Sequence, residues 1–146
     1  MVNVVALVDF SDITDEVVQV AARLTPAAEG HLYLVHVASA EPEFVGYDVG
    51  PQAVRNSIAR QYHQEHQQLE AMAAGAREKG LTVTPLLVPG MLLEKAVEET
   101  TRLEPDWVVV GSHGHRALYE LLVGSVTEAI LRAAPCPVVV VPVRRG

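Results

Sequence analysis

Three glycines and two hydroxyls carry the only spacing in this chain that points directly to a chemistry. An apolar run, Trp107 to Val110, stops at Gly111; Gly114 follows, and then Gly124 with Ser125 beside it and Thr127 just beyond. Glycine lets the backbone take positive φ and meet a ligand with no Cβ in the way, while the first turn of a helix offers unpaired N–H groups and partial positive charge. The pattern Gly111-x2-Gly114-x9-Gly124-Ser125 therefore reads as strand, glycine-rich loop and helix start, with Gly124 near the N-cap of a helix Val126 to Ala134. A phosphate fits such a cradle. Taken singly the same residues have plainer uses: Gly111 ends a strand, and Gly124-Ser125 starts an ordinary helix.

What the pattern lacks narrows the chemistry further. None of Gly111, Gly114 and Gly124 is followed by Lys, so the lysine of a P-loop is missing. The first strand-to-helix turn reads DFSD and has no glycine, which excludes a dinucleotide fingerprint there. Ser112-His113-Gly114-His115 has serine where the His-x-Gly-His of nucleotidyltransferases has its first histidine, and no Gly-x-Ser-x-Gly elbow offers a hydrolase nucleophile. A phosphoryl-accepting Asp is also missing from the end of the third strand, which reads Leu86-Leu87-Val88-Pro89. No catalytic residue is assigned, and any hydrolysis is expected to be slow.

The elements that must position this loop follow from hydrophobic periodicity. Val2 to Val8 is a nearly continuous β-branched run, as expected of a strand buried on both faces of a parallel sheet, and Asp9 stands at its end. Asp9 is a candidate ligand acid or simply a cap for the next helix. Ser11 and Asp12 are the expected N-caps of a helix to about Leu24, in which Ile13, Val17, Val20, Ala21 and Leu24 recur at helical spacing. A strand His31 to Ala38 precedes a long loop, Ser39 to Pro51, whose Phe44 and Tyr47 fold over a ligand or pack among themselves. The longest helix spans about Gln52 to Lys79, ends at Gly80 and carries His63 and His66 on a broad polar face, where a solvated role outweighs a metal site. A strand Leu81 to Val88, a helix Leu92 to Arg102, the strand Trp107 to Val110, a helix near Ser125 to Ala134 and a strand Val138 to Val143 complete the chain.

This alternation predicts an α/β fold with a parallel sheet and helices on both faces, because crossovers between parallel strands are right-handed. At 146 residues and 49% hydrophobic content the chain is expected to form one domain, residues 1–146, with a proper core. No apolar run approaches the length of about 18 residues that spans a bilayer, and the N-terminus lacks the pattern of a signal peptide. Together with a lone cysteine, Cys136, this predicts a cytoplasmic protein. The net charge of −7 argues against nucleic acid as a partner. Val138 to Val141 followed by Pro142 reads as an edge strand, open to pairing with another chain.

The glycine spacing, set between a hydrophobic strand and a helix that leads to a final valine strand, resembles the nucleotide-binding signature of the universal stress protein family. VNVVALVDFSD at the N-terminus, LVHV at residues 34–37 and PCPVVVVPV near the end resemble that family's segments in the same places, so the likeness covers essentially the whole chain. It implies a Rossmann-like, five-stranded parallel sheet in the order 3-2-1-4-5, with the ends of strands one and four side by side at a topological switch point. It also implies an adenine nucleotide, ATP or else ADP or AMP, with Mg²⁺ bridging the phosphates. Asp9 would then meet the adenosine, Leu7 would wall the base, and the Val37 backbone would read the adenine edge. Gly111, Ser112 and Gly114 would wrap ribose and phosphates, His113, His115 and Arg116 would add donors or positive charge, and Gly124, Ser125 and Val126 would give helix-start donors. The likeness further implies a homodimer through the last strand and a regulatory, stress-response role. The rival expectation is a protein-interaction module of the same fold with a vestigial pocket.

Overall fold

The computed structural model describes residues 1–38, 51–112 and 124–143. Its elements run β1 (Val2–Leu7), α1 (Thr14–Leu24), β2 (Gly30–Ala38), α2 (Pro51–Arg77), β3 (Val83–Pro89), α3 (Leu92–Arg102), β4 (Trp107–Gly111), α4 (Ser125–Ala133) and β5 (Val138–Val141). The strands form one parallel sheet in the order β3-β2-β1-β4-β5. β1 lies at its centre, and Val4, Val5 and Ala6 are buried on both faces, which is why that strand shows no polar alternation.

Successive side chains of each strand serve different cores. On one face Val4, Ala6, Leu32, Leu34 and Val109 pack with Val17 and Ala21 of α1 and with Leu69 and Ala73 of α2. On the other, Val5, Val35, Val108 and Val110 pack with Ala96 of α3 and Ile130 of α4. Helix α2 buries Leu69, Ala73 and Ala76, all in its C-terminal half. At 27 residues it is about 40 Å long, well beyond the roughly 23 Å of a seven-residue strand such as β3. His63 and His66 lie on its exposed side.

The expected elements are all present, with differences at their ends. α1 begins at Thr14 with Ile13 as its N-cap, not at Ser11 or Asp12. Asp9 organises the turn instead: its Oδ1 accepts from the Ser11 N–H at 3.0 Å and from the Thr14 hydroxyl at 3.3 Å. β5 stops at Val141, since Pro142 has no N–H to extend a ladder. Gly80 takes φ +87°, the left-handed conformation of a glycine that ends a helix. The loop 39–50 with Phe44 and Tyr47 lies outside the described residues.

Candidate site at the ends of β1 and β4

The sheet order puts β1 beside β4, so the chain leaves β1 towards β2 on one side and returns to β4 on the other. Ala6 pairs with Val109, and two residues beyond that pair stand Val8 and Gly111. The strand ends that carry Asp9 and Gly111 are therefore neighbours at a switch point, where open α/β sheets take their ligands. Asp9 is exposed there.

The loop that starts after β4 is tied together at its base. The Gly124 N–H donates to the Ser112 carbonyl at 2.8 Å, closing the segment between them. The Ser112 N–H donates to the Val141 carbonyl at 2.8 Å, and its Oγ accepts from the Val143 N–H at 3.1 Å. The Thr127 hydroxyl donates to the Gly111 carbonyl at 2.6 Å, across from the first turn of α4 to the end of β4. These bonds fix where the first turn of α4 starts relative to the sheet.

Gly124 is the N-cap of α4, with φ −64° and ψ 158°. Any residue adopts that conformation, so positive φ is not what this glycine supplies. What it supplies is an N-cap with no side chain of its own. The first intrahelical bond is Glu128 N–H to Gly124 carbonyl at 3.0 Å, which leaves the N–H groups of Ser125, Val126 and Thr127 without a carbonyl inside the helix. Ser125 is exposed.

Leu7, Val37 and Val126 pack against one and the same core, the one covered by α3 and α4. The structure thus brings together Leu7, Asp9, Gly111, Ser112, Gly124, Ser125 and Val126 at the ends of β1 and β4, with Val37 one strand away in β2. His113, Gly114, His115 and Arg116 lie outside the described residues. Cys136 packs against the same core as a half-buried residue; burial, and secondarily the charge of Asp106, push its thiol up.

One group of residues escaped the sequence reading. His36, Glu65, Gln61 and Phe10 form a polar and aromatic cluster behind the β1 end, on the α1/α2 side. The available signal was a histidine inside the buried run LVHV, at a position whose neighbours in alternation, Leu32 and Leu34, face the core.

A model of the universal stress protein family matches residues 1–142. The chain belongs to the universal stress protein family. Among its relatives, universal stress protein MJ0531 of Methanocaldococcus jannaschii is 27% identical over 140 residues, covering 95% of this chain and 81% of that one. Universal stress protein A homolog 1 of Coxiella burnetii is 28% identical, covering 95% and 94%. Among solved structures, MJ0577 of Methanocaldococcus jannaschii superposes with a TM-score of 0.84 at 21% identity, covering 99% of this universal stress protein and 97% of that chain. An Archaeoglobus fulgidus universal stress protein solved with dAMP gives 0.64 at 18% identity, covering 96% and 97%. An Arabidopsis thaliana family member solved with AMP gives 0.64 at 21%, covering 97% and 91%, and a universal stress protein in complex with cAMP gives 0.65 at 21%, covering 97% and 96%. At these identities the structural likeness shows the fold.

Proposed function

We propose that this universal stress protein binds an adenine nucleotide in the crevice between the ends of β1 and β4 and acts as a nucleotide-dependent regulatory module in a stress response. The observation that carries the reading is the helix start at Gly124: its N-cap is a glycine with no side chain of its own, and it is tied by Ser112 and Thr127 to the strand end that neighbours Asp9. Anions favour that end of a helix, and a carboxylate at the neighbouring strand end can accept from ribose hydroxyls or the adenine amine. Family members of the same fold, solved with dAMP, AMP and cAMP, support the adenine part. Leu7 and Val37 would flank the base, and the loop residues Gly111 to Arg116 would follow the phosphates.

ATP with Mg²⁺ is the proposed form. Among the described residues no group of three His, Cys, Asp or Glu side chains could hold a metal, and Asp9 is the only described acid among the assigned site residues. Mg²⁺ would therefore be held chiefly through the phosphates, as that ion usually is. With no nucleophile or P-loop lysine in the pattern, the bound nucleotide serves as a signal, and turnover lies far below the median enzyme rate of about 10 per second.

The decisive experiment is to identify what the purified chain retains by mass spectrometry, then titrate it with ATP, ADP and AMP, with and without Mg²⁺, by calorimetry. Saturable binding that weakens about tenfold in Asp9→Ala, the scale of a lost hydrogen bond to a charged group, is the expected result. A flat titration with all three nucleotides would replace this reading with that of a protein-interaction module.

The proposal includes a cytoplasmic homodimer through β5. That strand is at the sheet edge, pairs with β4 on one side, and holds Val138, Val139 and Val140 half-buried. A monomer mass by light scattering at micromolar concentration would remove the dimer. No helix of the described residues is long and apolar enough to cross a membrane.

A further inference from the structure

His36 sits where the alternation of β2 calls for an aliphatic side chain. Its ring centroid is 4.4 Å from that of Phe10. Its Nδ1 lies 2.8 Å from the Val8 carbonyl oxygen, and its Nε2 lies 2.7 Å from Glu65 Oε2. The other carboxylate oxygen, Oε1, accepts from Gln61 Nε2 at 2.7 Å. The His36 and Glu65 side chains are only 12% and 14% exposed, so water is a poor substitute for either partner.

These contacts hold the ring from both of its nitrogens. A backbone carbonyl can only accept, so Nδ1 donates to Val8. On the other side Nε2 meets the Glu65 carboxylate, whose second oxygen is taken by Gln61, so the partner of the ring is itself fixed in place.

The cluster grips both sides of Asp9. Val8, immediately before it, is held through its carbonyl. Phe10, immediately after it, takes φ 61°, a left-handed conformation that a bulky residue keeps only when its surroundings impose it, and the His36 ring lies against its side chain. Between them Asp9 closes its own turn onto the Ser11 N–H.

We infer that His36 is a positioning residue for Asp9: held by Glu65, its ring keeps the Val8 carbonyl and the Phe10 side chain in place, so that the β1–α1 turn presents Asp9 to the nucleotide site. This rests on the reading of Asp9 as an acceptor for the adenosine. Among the described residues the ring meets Glu65 from α2, itself held by Gln61, the Val8 carbonyl from β1 and Phe10 from the turn, with the apolar Leu87 at the register position in β3.

Glu65→Gln preserves the clamp: the new amide would donate to Nε2 of a ring whose Nδ1 donates to Val8, while its oxygen still accepts from Gln61. Glu65→Ala removes the partner, and His36→Ala removes the ring. Wild type and the three variants are titrated with AMP by calorimetry, and the Ser11 backbone amide is followed by NMR without nucleotide. His36→Ala and Glu65→Ala should each weaken AMP binding by about fivefold, the scale of one hydrogen bond, and displace the Ser11 amide resonance. Glu65→Gln should stay within about twofold of wild type, with the Ser11 amide in its wild-type position.

An unchanged AMP affinity and Ser11 amide in Glu65→Ala overturn the inference even where His36→Ala does not fold. A Ser11 amide that moves in Glu65→Ala and returns in Glu65→Gln, in a chain that binds no AMP, upholds the clamp and removes the nucleotide reading. AMP binding indifferent to the alanine substitutions does the reverse.

Discussion

The two ends of the sheet are closed by different means. At the N-terminal end main-chain groups meet one another and the Asp106 carboxylate. The Val2 N–H donates to the Glu29 carbonyl at 2.7 Å, the Asp106 N–H to the Asn3 carbonyl at 2.7 Å, and the Asn3 N–H to Asp106 Oδ2 at 2.8 Å. Gly30 lies so close to Pro26 that a Cβ would clash with the Pro26 carbonyl oxygen. At the C-terminal end, side chains take the terminal carbonyls: Val8 is capped by His36 and Gly111 by Thr127. A main-chain fit has one solution, whereas a side chain can titrate, rotate or be replaced. The first end fixes the fold, and the second end can respond to a ligand.

The largest expected effect comes from breaking the stiff end. In Gly30→Ala the added methyl meets main-chain atoms of Pro26 that cannot swing away, so the loop before β2 must shift. Overpacking of this kind destabilises by about 3 kcal/mol, read as a lower midpoint in urea unfolding. Nucleotide affinity of the folded fraction should stay within about twofold, because Gly30 and Asp9 lie at opposite ends of the strands. A parallel loss of affinity would erase the division of labour between the ends.

Thr127→Val tests the responsive end and should do the opposite. Thr127 is buried, and its hydroxyl is the partner of the Gly111 carbonyl at 2.6 Å. Valine keeps the shape and leaves that carbonyl unpaired, for a loss of about 1 to 2 kcal/mol. Here affinity for AMP should fall together with stability, since the bond joins the start of α4 to the end of β4, and Thr127→Ser should restore both. Stability loss with unchanged affinity would separate the α4 start from the site.

How much of this was legible in the sequence follows the same divide. The strands were readable because a valine-rich, largely apolar run such as Val2 to Leu7 has few other uses, and the bounds of α3 at Leu92 and Arg102 came directly from its apolar stripe. The glycine spacing located the loop after β4. Strand order was not in the periodicity, which says that a face is buried but not against which neighbour; it came with the family likeness and matches the sheet. The start of α1 was misplaced because Asp9, Ser11 and Asp12 are all cap-type residues within four positions. The choice among them is made by the Phe10 conformation and by a histidine 27 positions after Asp9 in the chain. His36 and Glu65 were missed for a related reason: a contact across 29 residues leaves no local pattern.

The smallest effect concerns the second histidine of β2, which sharpens the contrast by its surroundings. His31, at the start of the strand, stacks on Tyr33 with ring centroids 4.1 Å apart, and its Nε2 lies 2.6 Å from the Thr84 hydroxyl. A hydroxyl can donate as well as accept, so this ring is satisfied while neutral. Burial lowers its pKa from the ordinary 6.5. The unfolded chain therefore takes up a proton at His31 that the folded chain resists, and stability that is fully present above 6.5 is lost as pH falls below it. His31→Phe keeps the stack on Tyr33 and removes the titration, so its unfolding free energy should fall less than that of wild type over this acid limb. An acid limb in His31→Phe as steep as that of wild type would show that the folded chain does not resist the proton at this ring.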